Sequence, residues 1–396
     1  MITSGVGVSA AEDGYAAGVE AAQAAVEELG GIRPKLVFVF ASVQFVQEQL
    51  LRGVRSVTGE AIVIGSSSSG EIATAGPLAK HSVVVMVMAG DALQVAVGRG
   101  DVAQDGPEQA GMAAARAVKE ALGDGLKLFI MMPDVLAGNG ADTVRGVQKV
   151  LGEHFPVVGG ASGDDFRFEK TYQYLNGEVT SGTVVCVGLG GSFSFGIGVR
   201  HGWLPIGLPR MVTKADGAVI HEIDGKPAID LYRDYFGDAE AEKLKQETLA
   251  RLAVLYPIGV RVPDQHEYLI RDPLSVDEHG SITCAAEVPQ GAAVQLMLGS
   301  RDGAIAVARE AAEHAKTELG VQPKAVLIFN CIARNKLFGE QAGDEIAAIQ
   351  SVLGFGVPLA GFYTYGEQAP INGETRDFAR CNPQFHNETV VILTLG

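Results

Sequence analysis

One phrase occurs three times in this chain, and it limits the fold more than any other feature of the sequence. A short apolar run, too short for a helix, ends in a glycine turn, and a second apolar run follows. In the last copy Val357-Pro358-Leu359-Ala360-Gly361-Phe362-Tyr363-Thr364-Tyr365-Gly366-Glu367 leads to Thr389-Val390-Val391-Ile392-Leu393. In the first, Ile62-Val63-Ile64-Gly65-Ser66-Ser67-Ser68-Ser69-Gly70-Glu71 leads to Ser82-Val83-Val84-Val85-Met86. A looser middle copy runs Val157-Val158-Gly159-Gly160-Ala161-Ser162-Gly163-Asp164 and then Thr183-Val184-Val185-Cys186-Val187. Self-similarity of this kind marks repeated supersecondary units.

Upstream of each copy the repeat continues. Apolar residues three and four apart (Val46, Leu50, Val54; Val144, Val147, Leu151; Ile346, Ile349, Leu353) predict a helix that stops at or near Gly59, Gly152 and Gly354. Before it stands a strand opening with Lys35, Lys127 or Lys324, and before that another helix ending near Gly30, Gly123 or Gly320. Gly5–Ser9, Leu93–Val97 and Val294–Leu298 are taken as the lead strands of the three units. The expected fold is α/β, of mixed α+β character. It comprises three β-α-β-α-β-β units whose mixed sheets are covered by helices, because strands alternating with helices pack that way.

Residues 192–290 break the rhythm and read as a mainly antiparallel insertion of short strands between turn residues. Within it Ser192–Arg200 alternates as a strand, 228–236 reads as a short helix, and 239–252 as an exposed amphipathic helix. Two domains follow, 1–200 with two repeat units and 201–396 with the insertion and the third. The net charge of −16 argues against nucleic acid or an anionic membrane as partner, since phosphate binding needs a basic surface. No apolar run approaches the ~20 residues of a membrane span, and no basic-then-apolar segment opens the chain. Cys186, Cys284, Cys331 and Cys381 are far apart, as expected of reduced thiols. A cytoplasmic location is expected.

Ligands gather at the carboxyl ends of strands in sheets of this type. That makes the turns the first candidates: Ser67, Ser68, Gly70 and Glu71, then Ser162 and Asp164, then Tyr363, Tyr365 and Glu367. Their other reading is purely structural, with glycines for tight turns and acids capping backbone N–H groups. Cys331 and Arg334 end a strand of the third unit, where a thiol or a carboxylate-binding guanidinium could sit. His201 and His386 are candidate metal or haem ligands. Gly5-x-Gly7-x-x-Ala10 is a weak match to a dinucleotide fingerprint without the acid that should follow. The turn serines lack the strand-to-helix setting of a nucleophile elbow.

The chain resembles the FIST proteins, sensory modules with an N-terminal and a C-terminal FIST domain. The residues that carry this are the Gly65-to-Glu71 turn, Asp224-Gly225-Lys226-Pro227-Ala228, Tyr256-Pro257-Ile258-Gly259, Cys331-Ile332-Ala333-Arg334, Gly361-to-Glu367 and His386-Asn387-Glu388-Thr389. At Ser66-Ser67 many members carry a cysteine, so a thiol role at that turn is absent here. The resemblance implies small-ligand sensing without catalysis, with an amino acid or similar metabolite as ligand and Asn387 among the binding residues. It also implies a second reading, a haem protein that senses nitric oxide with His201 or His386 as axial ligand. A third alternative is an enzyme using Cys331 or a turn serine. A histidine kinase is the expected signalling partner, and a homodimer the expected assembly.

Overall fold

In the computed structural model, which describes residues 2–78, 80–245, 251–262, 267–375 and 380–396, the repeat is a three-sided body. Each unit has a lead strand (Thr3–Ser9, Leu93–Asp101, Phe195–Arg200) and a first helix (Gly14–Glu27, Pro107–Leu122, Arg301–Leu319). A central strand follows (Leu36–Ala41, Leu126–Pro133, Ala325–Cys331), then a second helix (Gln47–Thr58, Gly140–Leu151, Ala342–Leu353) and a turn strand (Ile62–Ser67, Val157–Gly160, Leu359–Thr364). After the glycine turn come a crossing strand (Glu71–Ala73, Gln173–Leu175, Glu367–Pro370) and a closing strand (Val83–Ala89, Thr183–Gly191, Val390–Leu395). Asp13, Asn139 and Ser300 cap the helices that follow them by accepting backbone N–H bonds.

Central and turn strands pair in parallel, as a helical crossover requires, and the closing strand lies antiparallel between lead and central strands. The crossing strand leaves its own unit. Glu71–Ala73 of the first unit pairs with the turn strand of the third, Gln173–Leu175 of the second with that of the first, and Glu367–Pro370 of the third with that of the second. Every sheet is therefore completed by a neighbour.

Alternation along the central strands explains why they are apolar throughout. Phe38, Phe40, Leu128, Ile130, Leu327 and Phe329 share one core at the axis with Phe362 of a turn strand. Val37 and Val39 face the first unit's helices beside Ala21 and Leu50, and Phe129 and Ile328 face the helices of theirs. Both faces of each sheet are covered, so no polar face is needed. Phe40 and Phe362 meet at 4.5 Å between ring centroids, joining the first and third units.

Three expectations need correction. Val294–Leu298 is not the third lead strand: it pairs with Leu204–Asp216 and Ile258–Arg261 inside the insertion. Phe195–Arg200 leads the third unit instead, against the closing strand Val390–Leu395. The insertion thus lies between lead strand and first helix, as one antiparallel sheet spanning Leu204 to Leu298 with its own core of Val212, Ile220, Tyr232, Ile258 and Leu296. Nor is 239–252 one exposed helix. It comprises Asp238–Glu242, a 3-10 turn Lys243–Lys245 and the start of Arg251–Leu255, with 246–250 outside the described residues, and Ala241, Leu244 and Ala253 are buried in the insertion core.

Candidate functional site

The three glycine turns converge at the carboxyl ends of the parallel strands and bond to one another through their backbones. Gly163 N donates to Ser67 O at 3.0 Å, Ser69 N to Tyr363 O at 2.9 Å, Tyr363 N to Gly70 O at 2.8 Å and Ala161 N to Gly366 O at 2.7 Å. Strand register then equates Glu71, Gln173 and Glu367 as first residues of the crossing strands. Each is held from its own turn and from the head of its closing strand. Ser68 and Ser82 donate to Glu71, and Thr364 Oγ1 and Thr389 N to Glu367. Gln173 donates to Ser162 Oγ at 3.0 Å and accepts from Thr183 Oγ1 at 3.1 Å. Burial pushes the Glu71 carboxyl up to about 8 and that of Glu367 well above the carboxylate range. These acids lock the crossing strands in place.

Asp164 is therefore not the middle counterpart of Glu71; Gln173 is. The Asp164 carboxylate accepts backbone N–H bonds from Arg167 (3.1 Å), Phe168 (2.8 Å), Glu169 (2.6 Å) and Lys170 (2.9 Å), and one from the Tyr365 hydroxyl. It stabilises a loop in which Asp165, Phe166 and Phe168 all have left-handed backbone, with φ of 57°, 66° and 56°. Such positions cost ~1–3 kcal/mol each and concentrate at functional sites. Phe168 stacks on Tyr365 with centroids 4.5 Å apart. Ser67 donates to Gly163 O at 2.6 Å and accepts from Tyr172 N at 2.8 Å. Ser67, Ser68, Ser162, Asp164, Tyr365 and Glu367 are thus buried and engaged with protein groups.

Between the first and third turns a cleft of about 350 Å³ opens. Of the residues expected from sequence, it brings together Gly70, Glu71 and Tyr363; it adds Ser69, Gln44, Lys80, Asp165, Phe166, Arg167, Asn335 and Lys336. Gly70 has φ +128°, a backbone conformation that favours glycine, and a Cβ there would stand 3.2 Å from the Tyr363 ring, which would have to give way by a few tenths of an ångström. Two wider depressions, about 770 and 450 Å³, lie at the opposite, amino ends of the strands, around Lys35 with Ile62 and around Lys324 with Pro358. They occupy corresponding seams of two units and so reflect the repeat itself. The sequence did contain a signal for the added residues: Gln44 and Asn335-Lys336 follow the ends of central strands, where Ser42 N and Cys331 N make matching bonds to Ser82 O and Thr389 O.

The structure overturns the ligand reading of Arg334. Its guanidinium is fully buried, with Nε on Glu345 Oε1 at 2.9 Å, Nη2 on Ala304 O at 3.0 Å and on Glu345, and Nη1 on His201 O and Glu388 O, beneath the Trp203 ring. Cys331 is buried as well, and burial together with the nearby Glu367 and Asp272 carboxyls pushes its thiol well above the usual range. Asn387 is buried and does not line the cleft. Next to it, Glu388 (φ 56°) meets Asp272 of the insertion; burial raises both carboxyls, that of Asp272 to about 7.

The chain matches the FIST N domain over residues 35–226 and the FIST C domain over 228–370. It belongs to the FIST family. FIST domains are sensory modules that bind small ligands in signal transduction. An uncharacterised Mycobacterium tuberculosis protein is 30% identical over 382 residues, covering 93% of this chain and 95% of the relative. An uncharacterised Mycobacterium bovis protein is 31% identical over 219 residues, 55% and 56% of the two chains. Among solved structures, cyanuric acid hydrolase from A. caulinodans aligns over 99% of both chains at 10% identity and a TM-score of 0.37, too low to carry an argument.

Within this FIST protein, His201 and His386 line one small cavity of about 10 Å³ between the third unit and the insertion. That is roughly the space of a single water, ~10–15 Å³, and it does not admit a porphyrin. His201 Nδ1 accepts from Trp203 N at 3.0 Å and Nε2 meets Glu267 at 3.0 Å. His386 Nε2 meets Ala369 O at 2.9 Å, and burial pushes its pKa down to about 4. These residues do not fit a haem as they are placed. Among the described residues no group of three or more His, Cys, Asp and Glu is arranged to hold a metal ion, and no helix is long and apolar enough to cross a membrane.

Proposed function

We propose that this FIST protein is a small-ligand sensor whose ligand occupies the cleft between the first and third glycine turns and is bound without chemical turnover. One observation carries the reading. The cleft joins residues from two repeat units and the strained Asp165–Phe168 loop at the carboxyl ends of parallel strands, while the turn groups outside it are engaged by the fold. Ser67 pairs with backbone, Ser162 with the Gln173 amide and Ser68 with the buried Glu71 carboxyl, none of them with an exposed base, which favours binding over nucleophilic catalysis.

Signalling passes from the cleft to a partner such as a histidine kinase. The short helix Ile332–Phe338 supplies Ile332, Asn335 and Lys336 to the cleft. Its Arg334 lies 5.6 Å from the ring of Trp203, whose Nε1 donates to Val254 O of the insertion. The insertion in turn exposes Leu204 (68%) and Leu208 (80%), apolar surface of the kind partners cover.

Trp203 is the only tryptophan and provides the test. Titration with a panel of amino acids and small metabolites should raise the melting temperature and shift Trp203 emission for at least one compound. Both effects should vanish in Tyr363→Ala and weaken in Lys336→Ala. A ligand whose effects survive both variants places the site elsewhere. A stoichiometric Soret band on haem addition would restore the gas-sensor reading.

A further inference from the structure

The cleft is a positive spot on a strongly acidic chain. The protein has 47 acidic against 31 basic residues, yet Lys80, Arg167 and Lys336 all border this cavity. Two acids share this lining with them. Asp165 already accepts bonds from Ser42 Oγ at 2.8 Å and Gln44 Nε2 at 3.0 Å. Burial pushes the Glu71 carboxyl up to about 8, toward its neutral form, and Ser68 and Ser82 bond it.

Inside the cleft, hydrogen-bond donors are available. The Tyr363 hydroxyl, on a residue only 2% exposed, has the Asn335 side chain nearby but no hydrogen bond of good geometry. Burial holds its pKa above the ordinary tyrosine value, so it remains protonated and can donate. A buried hydroxyl left in this state costs free energy unless a ligand or water completes it. The remaining lining is apolar, with Pro77, Leu78 and Ile332 beside the Phe166 ring, over which Lys336 Nζ lies at 4.0 Å.

We propose that the cleft takes a small organic oxyanion, its charged head among Lys80, Arg167, Lys336 and the Tyr363 hydroxyl and its body against Leu78, Ile332 and Phe166. This rests on the cleft being the ligand site and names the class of ligand. A carboxylate and a phosphate ester share the chemistry, since cations with a neutral donor favour either head. The volume suits a compound of one ring or a short chain, at the small end of ligand pockets.

Four probes of nearly one shape separate the outcomes: benzoate, phenyl phosphate, neutral benzamide and cationic benzamidine, each titrated against the full chain with Trp203 emission and thermal shift as readouts. Benzoate or phenyl phosphate should bind at millimolar concentration or below and more weakly as salt rises, benzamide worse, and benzamidine not at all; the better of the two anions names the head group. Lys336→Gln and Arg167→Gln should each weaken anion binding by about three- to fivefold, the scale of an exposed charge contact. The triple variant Lys80→Gln/Arg167→Gln/Lys336→Gln should abolish the preference for anions. If benzamide or benzamidine binds as well as the anions and Tyr363→Ala removes that binding, the oxyanion class is wrong and the cleft stands. If anions bind equally well to the triple variant and to Tyr363→Ala, the cleft itself is wrong. Failure of all four probes to bind at millimolar concentration overturns both.

Discussion

Glu71, Gln173 and Glu367 occupy one position three times over, and Gln173 indicates the chemistry that position needs: a neutral group offering both a donor and an acceptor. A protonated carboxyl meets that need, which agrees with the upward displacement of Glu71 to about 8 from 4.5. The sign follows from linkage. A carboxyl with a raised folded-state pKa binds its proton on folding, so its stabilisation is complete below about 4.5 and is lost as pH rises through about 8. Glu71→Gln should fold, and the slope of unfolding free energy between those pH values should flatten; denaturant titrations at three pH values would show it. A slope unchanged from the parent would mean that Glu71 is ionised in the fold. Gly70→Ala acts differently: with φ +128° and the Tyr363 ring 3.2 Å from the new Cβ, it should cost about 1–3 kcal/mol and narrow the cleft, read as a lower melting temperature with weaker ligand response. Turn residues such as Ser67 and Ser68 were legible as important from sequence. Sequence left their role open between binding and structure, because hydrogen bonds between turns depend on how units meet.

At the scale of elements, the lead strands carry a signal that repeats as faithfully as the turns: Gly5-x-Gly7, Gly98-x-Gly100 and Gly196-x-Gly198. A Cβ at Gly7, Gly100 or Gly198 would lie 2.0, 2.0 or 1.8 Å from the carbonyl oxygen of Ala21, Ala110 or Ala311 on the first helix. The pairs exist so that helix backbone can rest directly on the strand, which also explains the resemblance of Gly5-x-Gly7-x-x-Ala10 to a nucleotide fingerprint. Read this way, Gly196-Ile197-Gly198 marks the third lead strand. Val294–Leu298 displaced it because that run directly precedes the helix in sequence, although the sheet it joins belongs to the insertion. Gly198→Ala must push the helix away and should destabilise the protein by at least ~2 kcal/mol, within the range for overpacking. A midpoint in urea unchanged from the parent would contradict this packing account.

At the scale of the molecule, the exchange of crossing strands makes the three units one body. A division near residue 200 would deprive the third sheet of Glu71–Ala73 and leave Phe38 and Phe40 without Phe329 and Phe362. The fragment 1–200 produced alone should therefore expose apolar surface and aggregate or lack a cooperative transition, whereas the full chain should lose all three sheets together. Thermal unfolding followed by circular dichroism, with size-exclusion chromatography of the fragment, tests this. A monodisperse, cooperatively folded fragment would show that the swap is dispensable.

Sequence alone determined the threefold repeat, the alternation of helices and strands that leads to each glycine turn and the apolar faces, because these follow from periodicity and from glycine's freedom at turns, which are local properties; it missed the crossing strand of each unit and the third lead strand. It also marked the turns as the important end of the sheets. Which unit completes which sheet, which residue answers Glu71 in the middle repeat, and which turn residues face solvent rather than one another were decided only in three dimensions. Those outcomes depend on contacts between segments a hundred or more residues apart, such as Ala161 N on Gly366 O and Ser69 N on Tyr363 O. No local pattern encodes them.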